Sequence, residues 1–66
     1  MPQTLQQLAT LISTRDSISY EEATQSIEEC RIEMESAFYH GDLFEVEDIL
    51  KFNLNLEPDY LFLFID

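Results

Sequence analysis

The stretch from Ser19 to Gly41, SYEEATQSIEECRIEMESAFYHG, constrains the fold more than any other part of the chain. Tyr20, Ala23, Ile27, Cys30, Met34 and Ala37 follow one another at steps of three and four residues, widened by Phe38. That spacing gathers them on one side of an α-helix. Both ends carry signals of their own. Ser19 followed by Glu22 matches a capping box, in which the hydroxyl accepts from an exposed N–H and the glutamate reaches back. Gly41 stands where a left-handed C-cap residue is wanted, and His40 in the last turn suits the helix dipole. A helix of about 22 residues, roughly 33 Å long, is expected.

One apolar stripe needs others to pack against. In Thr4 to Ser13, Leu5, Leu8, Leu11 and Ile12 predict a short amphipathic helix with Thr4 as its N-cap, and the polar run Ser13 to Ser17 predicts a turn. Asp42 opens a further segment, where Asp42-Leu43-Phe44-Glu45 is a second capping arrangement. Leu43, Val46, Ile49 and Leu50 line one face there, widened by Phe44. Asn53 or Asn55 can take the left-handed conformation that ends it. With only Gly41 and Asp42 between them, the second and third segments predict a tight helical hairpin.

Pro58 fits the first position of a last helix, with Glu57 and Asp59 placing favourable charge at its start. The run Tyr60 to Ile65 is apolar throughout. It reads either as a short helix or as a buried strand. The N-terminal signals and the lack of a partner strand favour the helix. The expected fold is therefore all-α, a single domain over 1–66 with three to four short helices built on a central antiparallel hairpin. Core candidates are Leu8, Leu11, Ile12, Tyr20, Ala23, Ile27, Cys30, Met34, Phe38, Val46, Ile49, Leu50, Leu61 and Phe64.

At 66 residues a single core rarely supplies more than ~3–5 kcal/mol, and one cysteine forms no internal disulfide. Tight helix packing or a homodimer is then expected to supply the remaining stability. The terminal run carries more apolar residues than one helix face needs. If Leu61, Phe64 and Ile65 complete the core, Tyr60, Phe62 and Leu63 face outwards as a dimer or partner interface. The same run is too short for a membrane span, which needs ~20 residues. The N-terminus has no signal-peptide pattern, and a cytoplasmic location is expected.

Fourteen acids oppose Arg15, Arg31 and Lys51, giving a net charge of −11. Direct binding to nucleic acid or to an anionic membrane is disfavoured, since both reward Lys and Arg. A protein with a basic surface is the natural partner. The expected acidic face comprises Glu21, Glu22, Glu28, Glu29, Glu33, Glu35, Asp42, Glu45, Glu47 and Asp48. Its bland reading is a solvated helix surface. Its sharper one is mimicry of nucleic acid. The second helix carries net −5, one charge per ~6.6 Å, against one per ~1.7 Å in duplex DNA. One helix is too dilute, and a dimer with the acids of the third comes closer.

No catalytic, metal or cofactor residues are expected. His40 and Cys30 lie about 15 Å apart along one helix, and Cys30 sits on the apolar stripe. Gly41 is the only glycine, so no glycine-rich phosphate loop exists. DLFEVEDILKFN lacks the central glycine and alternating oxygen ligands of a calcium loop.

The second half of the chain resembles small acidic proteins of bacteriophages, prophages and other mobile elements. The matching pieces are Glu28-Glu29-Cys30-Arg31, Gly41-Asp42, Glu47-Asp48-Ile49-Leu50 and Leu56-Glu57-Pro58-Asp59-Tyr60, within residues 19–65. Asn55 replaces the glycine of that pattern, and Phe62-Leu63-Phe64 replaces its terminal acid. The resemblance implies a non-catalytic accessory protein that binds a host factor or regulates gene expression. It assigns no site residue. The alternative function is an assembly module that self-associates through its apolar end.

Overall fold

A computed structural model describes residues 1–65 and is all-helical, with no strand among them. Three α-helices, α1 (Leu5–Asp16), α2 (Tyr20–Tyr39) and α3 (Leu43–Leu54), precede a 3₁₀ helix over Pro58–Phe64. Local chemistry sets most boundaries. The side chains of Thr4, Ser19 and Asp42 accept hydrogen bonds from the backbone N–H groups of Gln7, Glu22 and Glu45, each satisfying a donor exposed at a helix start. Gly41 (φ 74°) and Asn55 (φ 54°) take the left-handed conformation that terminates α2 and α3.

α1 runs one turn past the expected stop at Ser13 and ends on Ser17, at φ 56°. A tertiary anchor accounts for the extension. Arg15 donates from Nη2 to the Leu54 carbonyl (2.7 Å) and from Nη1 to the Asn55 carbonyl (3.3 Å). Those carbonyls lie at the end of α3, where they lack helical partners. Polar residues that read as a turn thus clamp the end of α1 to the end of α3.

Helix lengths explain the terminal segment. α2 has 20 residues and is about 30 Å long, whereas the 12 residues of α1 cover about 18 Å. Leu5 and Ala9 of α1 lie beside Tyr20, Thr24 and Ile27, so α1 covers the N-terminal half of α2. About 12 Å is left over. A seven-residue 3₁₀ helix rises about 14 Å. Its Phe64 lies beside Arg31, Met34, Glu35 and Phe38 of α2. The last segment therefore closes the part of the core that α1 is too short to reach.

The core holds Leu8, Ala9, Ile12, Ala23, Ile27, Cys30, Met34, Ala37, Val46, Leu50, Leu54 and Leu56. Of the expected core residues, Leu11, Phe38, Ile49, Leu61 and Phe64 are half-buried against it. Tyr20 is 47% exposed, because it is the first residue of α2 and flanks the α1 seam without a second element above it. Leu54 and Leu56 join the core where Arg15 draws the end of α3 inwards.

The outward residues of the terminal run differ from expectation for a geometric reason. A 3₁₀ helix has three residues per turn, so residues three apart share a line. Tyr60 and Leu63 form one line, Leu61 and Phe64 a second, and both pack against the core. Phe62, on the third line, faces solvent at 51% exposure, and Ile65, just past the helix in extended conformation, is 52% exposed. Tyr60 and Leu63 are thus spent on the monomer core, and Ile65 is not part of it.

Candidate functional site: the acidic surface of the hairpin

Nine of the ten expected interface acids are exposed, and Glu47 is half-buried. They do not make one face. At 3.6 residues per turn, the row Glu21, Glu28, Glu35 lies about 120° around α2 from the row Glu22, Glu29, Glu33. Glu28 borders Leu5 and Gln6 of α1, and Glu35 borders Phe64, so the first row lies on the flank of α1 and the 3₁₀ helix. It also holds a cation. Arg31 Nη2 pairs with Glu28 Oε1 at 3.0 Å.

Glu29 and Glu33 of the second row lie towards α3. Glu33 accepts from Asn53 Nδ2 at 2.7 Å, and the same amide donates to the Ile49 carbonyl at 3.0 Å. That link ties α2 to α3 and holds the Glu33 carboxylate over the seam. Glu33 borders a shallow groove with Glu45, Asp48, Ile49, Phe52 and Asn53. Glu29 continues the acidic edge beside Ser26 and Cys30. Two of the basic residues lie elsewhere, Arg15 paired with Asp16 at 2.8 Å and Arg31 with Glu28, whereas Lys51 borders Asp48 and Phe52 on the outer side of α3.

Apolar side chains accompany these acids, and sequence patterning placed them differently. Phe44, expected to widen the core face, is 81% exposed, and Phe52 is 93% exposed. Phe44, Asp48 and Phe52 follow at steps of four, on the side of α3 away from buried Val46, Leu50 and Leu54. The stripe Val46-Leu50-Leu54 already fills the inward face, which leaves no inward position for either ring. At the hairpin turn, Tyr39 is 92% and Leu43 58% exposed.

The groups with chemical potential elsewhere are structural. Cys30 is buried, with its thiol 3.5 Å from Met34 Sδ, and burial together with the nearby Glu33 charge pushes it up to about 11. A thiol held protonated at neutral pH is a poor nucleophile. His40 donates from Nδ1 to the Ser36 carbonyl at 2.8 Å, closing the end of α2. The hydrogen bonds from Arg15 hold the Asp16 carboxyl below its ordinary value. Among the described residues, no three His, Cys, Asp or Glu side chains converge as a metal site, and no helix is long and apolar enough to cross a membrane.

No family model, curated protein or solved structure matches this chain.

Proposed function

We propose that this protein is a non-catalytic binding module that engages the basic surface of a protein partner through the acidic side of its α2–α3 hairpin. One observation carries the reading: Glu29, Glu33, Glu45 and Asp48 are assembled along one seam, with Arg15 paired to Asp16 and Arg31 to Glu28 outside it and Lys51 only at its Asp48 end. Four carboxylates beside a single lysine raise the local negative potential, which steers a basic partner and favours its retention. The resemblance of residues 19–65 to small acidic proteins of mobile elements supports an accessory role, with the partner a host factor. Copying of duplex DNA is the more demanding form of this reading, because the charges on α2 are several times sparser than phosphates.

The test is capture of identified partners at low and high salt, read by mass spectrometry. A basic protein recovered at low salt and released at high salt is expected. Glu29→Gln/Glu33→Gln/Glu45→Gln should abolish its capture, whereas Glu21→Gln/Glu28→Gln/Glu35→Gln should retain most of it. Equal capture by the wild type and the seam variant contradicts the proposal. Self-association through the terminal run has little surface to draw on, with Tyr60 and Leu63 packed inwards and Phe62 and Ile65 exposed.

A further inference from the structure

The outer side of α3 carries a feature that acidity alone does not explain. Phe44 and Phe52 are among the most exposed apolar side chains of the protein, at 81% and 93%. They sit eight residues apart, about 12 Å along the helix axis, with Asp48 between them. Exposed rings of this size contribute nothing to the core, and each costs solvation free energy while it stays bare. Hairpin packing does not require them, because Val46, Leu50 and Leu54 supply the inward face of α3. Glu45 and Glu33 border the same ring of Phe52 from the α2 side.

We infer that the outer face of α3, from Phe44 to Phe52, docks a basic amphipathic helix of a protein partner. This rests on the binding reading above and deepens it by naming the surface and the form of the partner. A helix laid along α3 meets two apolar anchor points about two turns apart, which suits apolar residues at i and i+7 or i+8. Lys or Arg on the flank of that helix towards α2 meets Glu33 and Glu45, and Asp48 lies between that flank and Lys51. A guanidinium reaching over Phe52 gains the ring face as well as the carboxylates.

Charge decides among the possible occupants. A second copy of this chain also carries net −11, and pairing α3 against α3 would set Asp48 and Glu45 against like charges. An anionic lipid surface meets the same repulsion, and so does nucleic acid. A basic helix alone gains from both the rings and the acids. The patch is small for a protein interface, so exchange on and off should be rapid.

The probe is a synthetic 18-residue helix with leucines on one face and lysines and arginines on the other, titrated into the ¹⁵N-labelled full chain. A scrambled peptide of the same composition, which has no apolar face, is the control. The inference predicts amide shifts concentrated in Phe44–Asn55 and at Glu33, and at least tenfold weaker binding of the scrambled peptide. Phe44→Ala/Phe52→Ala should weaken the amphipathic peptide at least tenfold while leaving the native spectrum intact. Equal binding of both peptides, or an unchanged affinity of the double variant, overturns the docking face while sparing the acidic-surface reading. Failure of both peptides to bind at low salt overturns both.

Discussion

Two apolar regions of this molecule look alike in sequence and have opposite fates. The terminal run, Tyr60 to Ile65, turns mostly inwards, whereas Phe44 and Phe52 of α3 stay bare. Hydrophobicity does not separate them; the space left by neighbouring helices does. α1 is too short to cover α2, so the last segment finds an open stretch of core beside Met34 and Phe38. The inward face of α3 is already full, so any further aromatic residue on that helix must point away. An apolar residue with a vacancy beside it becomes core, and one without becomes surface available to a partner.

The largest expected effect probes the inward region. Leu61→Ala with Phe64→Ala should cost about 2–4 kcal/mol, since both side chains are half-buried. That is comparable with the whole stability of a domain this small. Urea denaturation followed by circular dichroism should show a transition collapsed towards zero denaturant. An unshifted transition would mean that the terminal helix is not part of the core.

Cys30 extends the same contrast to pH. Its thiol ionises near 11 in the folded protein and at its ordinary value of 9.0 when unfolded. Between those values the unfolded chain releases a proton that the folded one keeps, so stability falls as pH rises from 9 to 11. The loss is on the order of 2–3 kcal/mol. Denaturation midpoints measured from pH 8 to 11 should show this fall in the wild type and lack it in Cys30→Ala.

Arg15→Ala should cost about 1–2 kcal/mol, because it leaves the Leu54 and Asn55 carbonyls without their donor. Hydrogen exchange should then speed up in the last turns of both α1 and α3. Acceleration confined to α1 would contradict the clamp. The smallest effect is expected on the bare side: Phe44→Ala and Phe52→Ala should each change stability by less than about 0.5 kcal/mol. A loss above 1 kcal/mol in thermal melting would place those rings in the core and dissolve the contrast.

Features carried by single residues were legible without the structure. Ser19, Asp42 and Gly41 each impose a local backbone geometry, and the α2–α3 hairpin follows from them, whereas the end of α3 was readable only as Asn53 or Asn55 and the structure selects Asn55. The inward stripe of α2 from Ala23 to Ala37 was equally plain, because its period is continuous over 15 residues. Long-range contacts were not legible. Nothing in Ser13 to Ser17 announces that Arg15 will meet carbonyls some 40 residues away and keep α1 helical to Asp16. The terminal segment was readable as helical, but a switch from 3.6 to three residues per turn reassigned Tyr60 and Leu63, and the helix ends before Ile65. For the acids, composition gave their number and helical spacing gave two rows. Only the packing of α3 shows which row gains company, and the same packing exposes Phe44 and Phe52.

The most direct test of the central contrast is one titration, the amphipathic basic peptide added to ¹⁵N-labelled Phe44→Ala/Phe52→Ala beside the wild type. The starting spectra report the fold, and the shifts report binding. The predicted result is a native spectrum for the double variant with affinity reduced at least tenfold. A native spectrum with undiminished affinity would show that the bare rings of α3 have no part in binding.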